Sequence, residues 1–271
     1  MCSSDLLSGT LRPITLSAVT SAFGWTPMSG KLSGTIPRLT YAANRLEMDG
    51  DLEVKVFDGR IVIGQLRIDE LQQITRFRVL ETQASDKESH LNSPDLGSRL
   101  SQTSAESLSP ESFQVQILVS DGLSAEAVHH NAPELLPVLL DGLNGRKLSI
   151  GQPLIARYGR VKLAEPLADL LKDDVIIHLI GERPGGDALA SRSLSAYLVY
   201  RLSDPSVQTA AAKFSGNHDI RFECTVISNI YSAGLPPLEA GGVIVEKVSD
   251  ILKHHAAGNH RKSRVEGKGV T

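Results

Sequence analysis

Val115-Gln116-Ile117-Leu118-Val119, stopped by Ser120-Asp121-Gly122, and Val175-Ile176-Ile177-His178-Leu179-Ile180, stopped by Gly181, decide the fold. Both runs are short, apolar and rich in β-branched residues, which predicts buried strands. Helical spacing lies between them, because Val128, Leu135, Leu136, Leu139, Leu140 and Leu143 recur at three- and four-residue steps. A strand is expected around residues 148–156, a short helix over 165–172, and further strands over 195–200 and 224–230. The last helix starts near Pro237 and carries Ile244, Val248, Ile251 and Leu252 on one face. Alternating β and α elements imply an α/β class: an open, mostly parallel, Rossmann-like sheet over residues 113–258 with helices on both faces.

The first 75 residues read differently. Leu52, Val54 and Val56 alternate with Glu53 and Lys55, Asp58-Gly59 follows, and a second run carries Ile61, Ile63, Leu66 and Ile68. Asp-Gly between two such runs is a hairpin signal, since a type I′ turn needs positive φ at both central residues. With Asp49-Gly50 as another turn and strands around 11–19 and 35–41, residues 1–75 are expected to form a small antiparallel β segment. Serine enrichment and lost periodicity mark 76–112 as a linker with a short helix, capped at Ser93-Pro94-Asp95 and carrying Leu96 and Leu100; the boundary is placed near 72–82. The basic tail, 259–271, is expected to be disordered.

Composition narrows the function classes. Of 271 residues, 28 are Lys or Arg and 31 Asp or Glu, so no basic excess marks a nucleic-acid binder. Aromatics at 4% cannot build a base-stacking platform. No apolar run reaches the roughly 18–20 residues that span a bilayer, and the start shows no secretory signal. Cys2 and Cys224 cannot make a disulfide framework or a four-thiolate zinc site, so two free thiols in the cytoplasm are expected.

In an open α/β sheet, ligands sit outside the carboxyl ends of the strands. Three loops qualify: Ser120-Asp121-Gly122-Leu123-Ser124, Gly181-Glu182-Arg183-Pro184-Gly185-Gly186, and Asn229-Ile230-Tyr231-Ser232-Ala233-Gly234. The second sets a carboxylate beside a guanidinium. It reads as a functional loop or as a solvated turn with a local ion pair. Gly181 and Gly186 have P-loop spacing, but Asp187-Ala188 stand where Lys-Ser/Thr is needed. No Gly-x-Gly-x-x-Gly follows the first strand, and Gly122-Leu123-Ser124-Ala125-Glu126 lacks a nucleophile elbow's second glycine. His129-His130 and His254-His255 are adjacent pairs that point apart on a helix, and His178 reads as a hydrogen-bonded core residue. No metal site is expected.

Seven ordered segments carry a resemblance. They are Ser93-Pro94-Asp95-Leu96-Gly97-Ser98-Arg99-Leu100, Ser120-Asp121-Gly122-Leu123-Ser124, Arg157-Tyr158-Gly159-Arg160-Val161, Gly181-Glu182-Arg183-Pro184-Gly185, Ser193-Leu194-Ser195-Ala196-Tyr197, Ile227-Ser228-Asn229-Ile230 and Gly234-Leu235-Pro236-Pro237-Leu238-Glu239-Ala240. Over residues 79–258 the chain resembles the small (light) subunit of ethanolamine ammonia-lyase, an adenosylcobalamin-dependent enzyme. The resemblance implies a subunit that closes over the cobalamin at an interface with a large subunit, which holds the substrate and its catalytic residues. Homolysis of the Co–C bond then starts the conversion of ethanolamine to acetaldehyde and ammonia. It also implies a cytoplasmic location, within a bacterial microcompartment.

Carried over position by position, the family's cobalamin contacts fall on Val161, Glu182 and Val226; some relatives have cysteine at the last position, whereas Cys224 lies two residues earlier. An apolar wall with a carboxylate acceptor suits a corrin, a broad disc fringed with amides. His178-x-x-Gly181 matches the tail of the base-off cobalamin motif, but Ile176 replaces its aspartate, so His178 is not expected to ligate cobalt.

The chain departs from the family in a longer 185–193 loop and an expanded stretch over 203–223 that holds His218. Before residue 75 it does not resemble the small subunit. Leu32-Ser33-Gly34-Thr35-Ile36-Pro37-Arg38-Leu39 and Val56-Phe57-Asp58-Gly59 resemble AsmA-like or dicarboxylate-transport-like envelope proteins instead. Two other classes of function follow: a non-enzymatic hybrid whose β segment offers an edge to a partner, and a plain nucleotide-binding α/β domain. The missing phosphate loops weigh against the second.

Overall fold

A computed structural model describes residues 5–15, 31–42, 45–49, 52–56, 59–63, 66–182, 192–202 and 222–257. The described elements begin with β1 (Asp5–Thr15), β2 (Lys31–Ala42), β3 (Arg45–Asp49), β4 (Leu52–Val56) and β5 (Gly59–Ile63). They form an antiparallel sheet in the order β1-β2-β4-β5, with β3 also on β2. Register sets Leu52 against Ile63 and Val54 against Ile61. Of the expected Asp58-Gly59 turn, Gly59 instead opens β5 opposite Val56. Asp58, Gly50, residues 16–19 and Cys2 lie outside the described residues, as do most of the 185–193 loop, the 203–221 stretch with His218, and the tail from Gly258.

The second run of the hairpin ends at Ile63. Ile68 instead opens α1 (Ile68–Leu71). Leu66, Ile68 and Leu71 are buried in the main core, so burial pulls this segment into the α/β body.

The stretch expected to be a linker carries β6 (Arg78–Glu81), α2 (Lys87–Asn92), a 3-10 turn (Leu96–Ser98) and α3 (Gln102–Ser107). Serines act here as caps. Asp86 and Ser89 form a reciprocal capping box on α2, and Ser101 caps α3 by accepting from Ser104 N–H. Asp95 caps the 3-10 turn without a side-chain hydrogen bond, and Leu100 pairs with Thr82 in a bridge.

Then come β7 (Val115–Ser120), α4 (Ala125–Gly145), β8 (Leu154–Arg157), α5 (Ala164–Leu171), β9 (Val175–Gly181), β10 (Leu194–Arg201), β11 (Phe222–Ile230) and α6 (Pro237–His254). Strand β8 is shorter than expected, because Ile150 makes only an isolated bridge to Val115. The six-stranded sheet runs β11-β10-β9-β7-β8-β6. It is mixed: β6, β8, β7 and β9 are mutually parallel, while β10 is antiparallel to both β9 and β11. A glycine- and proline-rich connection after Gly181 has no crossover helix's composition, and a parallel neighbour needs such a crossover.

Helices cover both faces. On one, Ile117, Val119, Ile177, Leu179, Ala196 and Leu198 pack with Leu135 and Leu139 of α4 and with Ile244 and Val248 of α6. On the other, Leu118, Leu154, Ile176 and Val199 pack with Leu163 and with Leu167 and Leu171 of α5. Helix α5 is short, so among the described residues this second face is covered over only part of the sheet. Toward β11 it is open: Cys224, Val226 and Ser228 are exposed.

Candidate functional site

The carboxyl ends of β7, β8 and β9 are tied into one platform. After β7 the chain turns through Gly122, at φ 52°, and Ser124 caps α4 by accepting from Ala127 N–H at 3.1 Å. Leu123 N–H donates to Gly181 O at 2.9 Å, joining this turn to the end of β9. A side chain on Gly122 would run into Gly181 O and Ile180, so the close approach needs glycine.

Asp121 anchors the next loop. Its carboxylate is buried and accepts from Tyr158 N–H at 2.6 Å, where Tyr158 has a left-handed φ of 57°. Burial pushes the Asp121 carboxyl up to about 6, against the opposing pull of Lys87 and of the Tyr158 and Gly159 amides. Arg160 N–H donates to Gly97 O at 2.8 Å, and Arg160 Nη2 to His90 O at 2.5 Å. His90 is fully buried, with Nδ1 2.8 Å from Tyr158 O and Nε2 2.7 Å from Gly122 O. Only a doubly protonated ring could donate to both, yet burial, Arg160 and Lys87 hold its pKa down at about 4. At neutral pH the ring therefore donates to one carbonyl and abuts the other.

His178 lies behind this platform. It is fully buried, its Nε2 is 2.6 Å from Ser120 Oγ, and burial holds its pKa down at about 4. It is a neutral, hydrogen-bonded core residue facing the backbone of Val161. Its ring is enclosed on all sides by the core. Among the described residues no group of three His, Cys, Asp or Glu side chains could hold a metal ion.

Val161, Glu182 and Val226 are distributed around this core. Val161 opens a 3-10 turn (Val161–Leu163) beyond β8 and is half-buried. Glu182 is the first residue past β9, with its N–H on Ser193 O at 3.0 Å. Val226 sits on β11 and is 48% exposed. Register runs His178–Tyr197–Val226 straight across β9, β10 and β11. Tyr197 Oη donates to Glu182 Oε1 at 2.9 Å. Tyr197 thus adjoins Glu182 by a hydrogen bond and Val226 by pairing, while Val161 reaches the row through His178.

Arg183, the expected ion-pair partner of Glu182, lies outside the described residues. Burial, with Glu182 adding to it, pushes the Tyr197 phenol up to about 12, so it remains a donor. Cys224 lies on the same face as Val226 and is exposed as a residue, but partial desolvation of its sulfur, with Glu165 beside it, pushes the thiol up to about 11 and leaves it protonated.

Sequence reasoning did not single out Tyr197, His90 or Asp121 as site-building residues. Only Asp121 lies in a recognised loop; Tyr197 is on β10 and His90 on α2, in the stretch read as a linker. The partners of Tyr197, His90 and Asp121 stand 15, 68 and 37 positions away. Only the pleat alternation along 194–200, which puts Tyr197 on the face opposite Ala196 and Leu198, hinted at the first.

These features define an α/β protein with a prebuilt platform at the carboxyl ends of its strands, beside a partly uncovered sheet face. The family model of the ethanolamine ammonia-lyase light chain (EutC) matches residues 57–262. The chain belongs to that family, a subunit family of a carbon–nitrogen lyase. The match begins inside the β4–β5 hairpin and takes in the whole six-stranded sheet. No helix among the described residues is long and apolar enough to cross a membrane.

Proposed function

We propose that the chain is the light subunit of an adenosylcobalamin-dependent ethanolamine ammonia-lyase, completing the cobalamin site where it meets the large subunit. The observation that carries this reading, beyond family membership, is the juxtaposition of Glu182, Tyr197 and the exposed Val226 at one end of the sheet. The residues fit a corrin: an aliphatic surface open to a flat partner, beside a carboxylate with an oxygen left to accept an amide N–H.

When bound, adenosylcobalamin supplies a homolytically cleavable cobalt–carbon bond. This chain's part is to hold and shield. Val161 and Val226 supply apolar contact that excludes water, and Glu182 accepts from the corrin's rim. The buried Asp121, accepting from Tyr158 N–H, keeps the chain leading to Val161 in one conformation before anything binds. Substrate-binding and catalytic residues belong to the large subunit in this reading, and the complex works in the cytoplasm, within a bacterial microcompartment. The α/β body from Leu66 onward, rather than residues 113–258 alone, is the cobalamin domain in this reading, because β6 joins its sheet and Leu66, Ile68 and Leu71 its core; the N-terminal sheet is an addition to it.

The test mixes the chain with the large subunit and adenosylcobalamin and follows acetaldehyde formation from ethanolamine. Activity that depends on both chains supports the reading; absence of both association and activity defeats it. Glu182→Ala is expected to weaken cobalamin retention about tenfold, as for loss of a hydrogen bond to a charged acceptor, at an unchanged melting temperature.

A further inference from the structure

We infer that Tyr197 is a positioning residue that presents Glu182 as a carboxylate with one engaged and one open oxygen, and that the pair thereby selects primary-amide N–H donors on the ligand and rejects carboxylates. This rests on the cobalamin reading of the site and says which chemical feature of the corrin rim the site reads.

Three observations carry it. The Tyr197 ring packs against the Leu163–Leu167 cluster on the α5 face, so its hydroxyl has a fixed origin. That hydroxyl donates to Glu182 Oε1 at 2.9 Å, and the Glu182 backbone is pinned by its N–H on Ser193 O, so both ends of the glutamate are held. Among the described residues Oε2 has no hydrogen-bond partner, and Glu182 is only half-buried, so this oxygen is available to a ligand. A carboxylate that accepts the phenol proton on one oxygen presents lone pairs on the other. The open oxygen can therefore take an N–H but not another anionic oxygen. Corrin side chains end in primary amides, and hydrolysis of one amide replaces an N–H donor with an anion.

Without the phenol, the carboxylate would rotate about its last bond and meet an amide or solvent equally well. Tyr197→Phe keeps the ring and removes the donor. Tyr197 touches neither cobalt nor substrate in this account; it acts through Glu182.

The experiment is a spectrophotometric titration of the assembled two-subunit complex with cyanocobalamin and with its separated monocarboxylic acid derivatives. The wild-type complex is expected to bind cyanocobalamin and to discriminate at least tenfold against one of the monocarboxylates. Tyr197→Phe should weaken cyanocobalamin binding about tenfold, shrink that discrimination, and leave the melting temperature and subunit assembly unchanged. Glu182→Gln, which can still accept from Tyr197 while turning an NH2 outward, should shift preference toward the same monocarboxylate. Equal affinities for wild type and Tyr197→Phe overturn the inference. So does a loss that falls equally on amide and carboxylate forms, which would mark a packing role. A wild-type complex that assembles but binds no corrin overturns the cobalamin reading itself, and this inference with it.

Discussion

Asp121→Asn tests whether the platform is built as described. In the wild-type chain Asp121 accepts from Tyr158 N–H at 2.6 Å and also faces the Gly159 amide. Asparagine keeps one acceptor but turns an NH2 toward backbone donors, so at pH 8 the change should cost about 1–3 kcal/mol.

The pH dependence of that cost is the sharper measurement. Burial raises the folded pKa from 3.8 to about 6, so the folded state takes up this proton first as pH falls. The stabilisation is complete at acid pH and is lost as pH rises through about 6. Linkage between these two values makes the wild-type chain about 1–2 kcal/mol more stable at pH 5 than at pH 8 through this group alone. His90 and His178, both held near 4, act oppositely, because the unfolded chain takes up their protons below 6.5. They are present in both proteins and cancel in the difference. Urea denaturation of wild type and Asp121→Asn at pH 5 and pH 8 should therefore show a gap that widens by about 1–2 kcal/mol toward acid. A gap that stays constant or narrows would refute a buried, proton-accepting carboxylate at this position.

Other perturbations probe the same framework. Gly122→Ala forces a left-handed φ of 52° on alanine and drives its methyl into Gly181 O and Ile180; a loss of about 2–4 kcal/mol in chemical denaturation is expected. Ser120→Ala takes away the partner 2.6 Å from His178 Nε2. It should cost about 1–3 kcal/mol, and an unchanged denaturation midpoint would show that the pair is idle. Removing residues 1–56 should leave the melting temperature of the α/β body in place, whereas removing 1–72 also deletes Leu66, Ile68 and Leu71, each under 9% exposed. At about 1.5–3 kcal/mol per buried side chain, the second truncation should melt well below the first.

The alternation of buried strands and helices from Val115 onward was legible from local pattern, because burial on both faces demands near-continuous apolar runs such as 115–119 and 175–180. Both sides of the β4–β5 hairpin, the helices α4 and α6, and the loops at the strand ends were legible for the same reason: each is encoded by neighbours in the chain. So was family membership, carried by ordered segments that the EutC match contains.

What local pattern could not supply was pairing across distance. Edge strand β6 hides in a serine-rich stretch because its partner, β8, lies 76 positions on at Leu154 opposite Arg78. Strand β10 reads as one more β element, and its reversal follows from what its flanking connections can span. His178 looks like an isolated polar residue in an apolar run until Ser120, 58 positions earlier, is brought within 2.6 Å. Tyr197 acquires a role only when the register of three strands sets it between His178 and Val226, under the carboxylate of Glu182. Sequence by itself determined the strands, helices and loops from Val115 onward, since those choices rest on local sterics and on periodic burial. Tertiary structure alone decided which side chains meet, since hydrogen bonds and buried charges are settled only when distant segments exclude water together.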